Sequence, residues 1–231
     1  MKHQQSGFTL VEIAIVLVIV GLLLGGVLKG QELINSAKVK NIISDMNGIS
    51  VMVIGYQDKY RGTAGDQNQG QLNNNFGLTP VSGAPATQGP AAGLNNGRLD
   101  GNWNDNNNPA ASETELFWQH VRLANLASGS TTITDPNYYP TNSDGGRTGI
   151  ESGLNTAGGA APFIAGMTGS YYVCTDNVQG RYAKQIDTTT DDGNSAAGSV
   201  RIVATGAVRG ATALVTTAVV DGSLHIVCRS F

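Results

Sequence analysis

The 21 residues from Phe8 to Leu28 are apolar or glycine at every position but Thr9 and Glu12, and Glu12 is their only charge. At about 1.5 Å per residue a helix of that length crosses the ~30 Å core of a bilayer. Past Leu28 the pattern turns amphipathic without a break. Val39, Ile42, Met46, Ile49, Val53, Tyr56 and Tyr60 recur at alternating steps of three and four, the stripe of a helix laid against a sheet. One helix from Phe8 to about Tyr60 is expected, membrane-spanning over 8–28 and docked on a globular head beyond it.

From Arg61 to Ala111, Gly, Pro, Asn and other polar residues leave no period, which reads as loop. Ser112 and Glu115 have capping-box spacing and open a helix from Glu113 to about Ala127, closed by Gly129. Loop is expected again from Ser130 to Gly169. Strands follow near Tyr171–Cys174, Val200–Ala204, Ala213–Val220 and Leu224–Cys228, with Asp221-Gly222 as a hairpin turn between the last two. The fold class is α+β: a long N-terminal helix packed on a small antiparallel sheet, with residues 61–231 forming the head.

A carboxylate five residues into the apolar run costs roughly 2.5–3.5 kcal/mol on insertion scales, so Glu12 calls for a positive partner or a functional pathway. Upstream, Met1 to Gly7 is a short leader carrying Lys2 and His3, without an apolar core of its own. A secretory signal has its small-residue cleavage site after the apolar stretch. Here the small residue, Gly7, stands before it. Cutting there leaves the hydrophobic helix on the mature chain with a new amine at Phe8, and a neighbouring subunit shifted along the helix axis can place that amine on Glu12.

Gly7-Phe8-Thr9-Leu10-Val11-Glu12 resembles the processing motif of type IV prepilins, the family of pilus subunits and type II secretion pseudopilins. The resemblance covers the leader and first helix. It implies a pilin-like fold, cleavage by a prepilin peptidase between Gly7 and Phe8, N-methylation of Phe8, and Glu12 as the assembly glutamate. It implies partners too: further copies of the chain in a helical homopolymer, the pilus or type II secretion assembly machinery, and the bacterial inner membrane as a single-pass precursor. The expected destination is an extracellular pilus, with a periplasmic pseudopilus or minor pilin as the alternative. Many family members carry a helix-kinking proline in the apolar run. This one has Gly21, Gly25, Gly26 and Gly30 instead, in two small-xxx-small pairs that let backbones approach. A rival of another class is a monomeric, membrane-tethered binding protein.

Net charge of −3 and a charged content of 13% give no reason to expect nucleic-acid binding. Cys174 and Cys228 are the only cysteines, and the positive leader sends them outward into a disulfide-permitting compartment. No CxxC or Cys/His spacing supports a metal or catalytic dithiol. A disulfide is the expected reading, and the resemblance agrees, since many pilins close their C-terminal region with one.

Two stretches carry candidate chemistry. In "DGNWNDNNN", Asp100, Asn102 and Asn104 alternate oxygen ligands as a calcium loop does, although Asp105 stands where the loop wants glycine and Ala111 where it wants a bidentate acid; Glu113 or Glu115 can close the set. In "QIDTTTDDGNS", Asp187, Asp191 and Asp192 form a second acidic cluster, which looks like a counterpart of the calcium-binding C-terminal loop of some pseudopilins. Calcium is the candidate cofactor, with a solvated Asn-rich loop as the alternative for the first stretch and a simple turn for the second. No P-loop, HExxH or Gly-x-Ser-x-Gly occurs, and neither His120, expected partly buried on a helix, nor His225, expected to point out of the last strand, has nucleophile spacing. An enzyme is not expected. Trp103, Tyr138, Tyr139, Tyr171 and Tyr172 are expected chiefly to cover the core.

Overall fold

A computed structural model of the chain describes residues 9–77, 86–90, 93–106, 112–152 and 162–231. Two compact units emerge, Met1–Lys38 and Val39–Phe231. The elements are α1 (Leu10–Tyr60), α2 (Gln69–Phe76), α3 (Glu113–Leu123), β1 (Thr148–Ser152), β2 (Tyr171–Gln179), α4 (Gly180–Thr190), β3 (Val200–Ala204) and β4 (Leu224–Ser230). This is the expected α+β arrangement: a long N-terminal helix with a four-stranded antiparallel sheet of order β1-β2-β4-β3.

Within the second unit the helix stripe does what its spacing promises. Val39, Ile42, Met46, Ile49, Val53 and Tyr56 are all buried, and they share one core with Phe117, Val121, Tyr138 and the sheet residues Val173, Ile202 and Val227. The opposite face of the sheet is covered as well. Tyr172, Cys174, Val203, Ile226 and Cys228 pack there with Trp103, Phe163, Ile164 and Met167 from loops. Strict alternation along β2 sends Tyr171 and Val173 to the helix side and Tyr172 and Cys174 to the loop side.

The ladder ends are occupied. On β1, the Thr148 amide donates to Pro140 O and the Ser152 amide to Leu99 O. On β3, the Val200 amide donates to Asp191 Oδ2, the Ile202 amide to Ser195 O, and Ile202 O accepts from the Leu214 amide.

Several expectations are corrected. The stretch 61–111 contains α2, held by an Asn68/Gln71 capping box; its only buried residue is Leu72, too little apolar content to show a period. The stretch 130–169 contains β1. Ala213–Val220 is not a strand: a single bond ties Leu214 to β3, a 3₁₀ turn covers Thr216–Ala218, and Val215 and Val220 are exposed. Asp221-Gly222 therefore leads into β4 from a loop. The β-branched run had no second face to pack against, and β-propensity is realised only where such a face exists. Helix α4 was unforeseen because Thr188, Thr189 and Thr190 argue against helix, yet each hydroxyl bonds back to the carbonyl four residues earlier while Tyr182, Ala183 and Ile186 pack on the sheet. Helix α3 stops at Leu123 because Asn125 turns left-handed (φ 60°).

Candidate functional site

Helix α1 begins with a reciprocal cap. Thr9 donates its amide and its hydroxyl to Glu12 Oε2, both at 2.8 Å, and the Glu12 amide donates to Thr9 Oγ1 at 3.3 Å. The orphan donors of a helix start are thus satisfied by the carboxylate inside its own chain. The same Thr/Ser-x-x-Glu spacing encodes the cap of α3, and sequence reasoning applied it only there. From Leu10 to Leu28 the large apolar side chains are exposed, Leu10 at 90% and Leu22 at 73%. The most apolar window of this helix has a mean hydropathy of 2.8 and none of it is buried. A Cβ built on Gly21, Gly25, Gly26 or Gly30 meets nothing within 4 Å. At 100° per residue the Gly21/Gly25 and Gly26/Gly30 pairs lie about 140° apart around the helix. Two separate flat patches are therefore open to close approach.

Residues 2–28 match the family model of the prokaryotic N-terminal methylation motif. The chain carries a prepilin motif. No curated protein and no solved structure matches it. The match supports a type IV pilin-like or pseudopilin protein, and with the apolar helix it fits a membrane-anchored precursor. Gly7 and Phe8, the processing residues that the motif implies, lie outside the described residues. Glu12 is described, four residues downstream of the new terminus that the prepilin motif implies, with its carboxylate turned back onto Thr9.

In the head, Cys174 and Cys228 are disulfide-bonded. They sit directly opposite each other on β2 and β4, with Cα atoms 4.0 Å apart, and both are fully buried. The bond staples the two central strands on the sheet face away from α1.

The two acidic stretches fare differently. Asn102 Oδ1 accepts from Arg209 Nε at 2.7 Å, Asp100 Oδ2 accepts from Asn96 Nδ2 at 3.2 Å, and Asn104 is exposed. The Asn102 oxygen expected to ligate calcium instead holds the loop to Arg209. Glu113 is buried, with Oε2 on the Asp100 amide at 2.8 Å; burial, with Asp66 and Asp100 nearby, pushes its carboxyl up to about 8. Glu115 caps α3 through Ser112 and bonds the Tyr139 hydroxyl. Asp187, Asp191 and Asp192, by contrast, converge, each offering an oxygen within 4.8 Å of the others. Asp187 is fully buried; its Oδ2 accepts from Ser195 Oγ at 3.1 Å and its Oδ1 has no partner. Burial and then the neighbouring Asp191 and Asp192 charges push the Asp187 carboxyl up, against the Ser195 bond.

His120 is fully buried, more deeply than expected. Its Nδ1 accepts from the Gly65 amide at 2.8 Å, which leaves Nε2 to donate to Thr87 O at 2.9 Å. Burial holds its pKa down to about 4. His225 is also buried, against the expectation that it points outward: it stands on a central strand, beside Gly180, where an added Cβ would come 3.1 Å from its ring. The aromatics match their expected core role, with Trp103 packed edge-on against Phe163 and Tyr138 fully buried.

Proposed function

We propose that the chain is the structural subunit of a type IV pilus-like extracellular filament, assembled through α1 after a prepilin peptidase cuts between Gly7 and Phe8 and methylates the Phe8 amine. The observation that carries this reading is the uncovered apolar helix behind a prepilin motif. In the precursor, lipid of the inner membrane covers that surface; in the filament, neighbouring copies do. The two glycine patches on different sides of the helix fit contact with more than one neighbour. Glu12 exchanges its bonds with Thr9 for the Phe8 amine of a neighbouring copy and so sets the stagger of the stack. Assembly, not catalysis, is the activity, and the assembly machinery is the partner.

Shearing cells and taking the intact mass of the released protein tests this. A mass that begins at methylated Phe8, reduced by two hydrogens for the disulfide, is expected in the sheared fraction. Cleaved protein confined to the membrane fraction would move the assignment to a type II secretion pseudopilin or minor pilin. Uncut protein would leave a tethered monomer. Glu12→Ala should spare insertion and cleavage and lower incorporation.

We also propose that Asp187, Asp191 and Asp192 hold a calcium ion that ties the end of α4 to the following loop. The unpartnered Asp187 Oδ1 supports this, since a buried carboxylate oxygen without a partner is costly unless a cation meets it.

A further inference from the structure

Four described residues other than glycine hold a left-handed backbone: Arg61 (φ 53°), Asn95 (φ 62°), Asn125 (φ 60°) and Asn177 (φ 55°). Asparagine tolerates that region, and Arg61 takes it directly after the last residue of α1, where helices commonly end in a left-handed residue. Arg61 and Asn95 line the same cleft. It has a volume of about 410 Å³, within the range of small-ligand sites, and opens beside the C-terminal end of α1.

Its side chains are all polar: Gln57, Arg61, Thr63, Asp66, Gln71 and Asn95, completed by two glycines. Such a wall offers nothing to an apolar ligand. Its one cation and one anion are engaged differently. Asp66 is spent within the fold, with Oδ1 accepting the Asn96 amide at 3.2 Å and Oδ2 the Gly97 amide at 2.7 Å. Arg61 is exposed, and its guanidinium has neither hydrogen bond nor ion pair among the described residues. Arg61 is therefore the charged group of the cleft that the fold leaves without a direct partner, while Asp66 is buried and held by two amides.

Two amides are held in place by bonds to one end only. Gln57 Nε2 donates to the Tyr171 hydroxyl at 3.1 Å, and Gln71 Oε1 accepts from the Asn68 amide at 3.1 Å. That leaves an oriented carbonyl oxygen on Gln57 and an oriented amide nitrogen on Gln71. With the amide of Asn95 they match groups that both donate and accept, as vicinal hydroxyls do. We infer that this cleft binds an acidic saccharide of the uronic acid type, its carboxylate paired with Arg61 and its hydroxyls with Gln57, Gln71 and Asn95. A guanidinium fork suits a carboxylate better than an ammonium would. This activity belongs to the head alone and is independent of how α1 assembles.

The test is a calorimetric titration of the full chain in detergent with digalacturonic acid, lactose and acetate, repeated on Arg61→Gln and Asn95→Ala. Neither side chain packs in the core: Arg61→Gln should keep the wild-type melting temperature, and Asn95→Ala, which puts alanine at a left-handed position, should lower it slightly while the head stays folded at the assay temperature. Saturable binding of digalacturonic acid is expected, weakened at least about tenfold in Arg61→Gln and measurably in Asn95→Ala, with lactose and acetate each at least about tenfold weaker than the acid sugar. No saturation by about 10 mM, or equal binding by Arg61→Gln, overturns the proposal. Equal binding of acetate would reduce the site to a bare carboxylate contact, and equal binding of lactose would remove the role of charge; either result also overturns it.

Discussion

Acidification should weaken the head through one histidine. The Gly65 amide can only donate, so His120 Nδ1 must carry its lone pair, and a second proton has nowhere to sit without breaking that bond. The folded pKa is accordingly about 4, against about 6.5 for an unfolded histidine. The unfolded chain therefore binds the proton first as pH falls. Stability is lost between about pH 6.5 and 4, and the loss at pH 4.5 comes to about 2.5 kcal/mol by linkage. Glu113 acts in the other direction. Its folded pKa of about 8 means that the native state holds a proton that the unfolded state releases above about 4.5, so its contribution is full at low pH and fades as pH rises toward 8. The two are separated by comparing wild type with His120→Gln, which keeps an acceptor and a donor but does not titrate. Urea unfolding of residues 39–231, the unit that carries all of the buried core among the described residues, reads the difference. At pH 7.5 the variant should be less stable by about 1–2 kcal/mol, and at pH 4.5 the gap should close or invert. A gap constant within about 0.5 kcal/mol across that range would refute the tautomer argument.

Three further outcomes follow from the same geometry. Replacing both Cys174 and Cys228 by serine frees a loop of about 55 residues and should cost up to about 4 kcal/mol in urea unfolding, with a cost under about 1 kcal/mol counting against the staple. Glu151 accepts from the Trp103 amide at 3.0 Å, the Phe163 amide at 2.9 Å and Arg209 Nη2 at 3.0 Å while fully buried, so Glu151→Ala strands three donors. A loss of about 3–5 kcal/mol is expected, and a near-neutral result would mean the loops re-pair elsewhere. Calcium should raise the melting temperature of wild type and leave that of Asp187→Asn unmoved; an equal rise in both would place the ion somewhere else.

The long helix and the position of the site were legible in the sequence because each rests on a local rule. A membrane-length apolar run, a stripe at steps of three and four, and a glycine ahead of the run need no tertiary context. The disulfide was legible because two cysteines on the same side of a membrane leave few choices. Elements with little apolar content of their own escaped. Helix α2 buries only Leu72, and β1 is a short strand within a polar tract whose place is set by pairing with β2. The threonines of α4 hide a helix that packing on the sheet imposes, and Ala213–Val220 advertises a strand that the filled flank of β3 does not admit. The acidic clusters show the same limit: ligand spacing alone could not reveal that Arg209 takes the Asn102 oxygen while Asp187 keeps one unspent.

The blocked flanks of the sheet also constrain how copies of this protein can join. A β-rich head crowded on a membrane surface is at risk of zipping to its neighbours strand by strand. Pro140 and Leu99 on one side, and Asp191, Ser195 and Leu214 on the other, already occupy those rungs. Growth by strand exchange is thereby closed off, and heads can crowd without cross-linking. In the proposed filament, the exposed apolar helix is then the surface left for contact between copies.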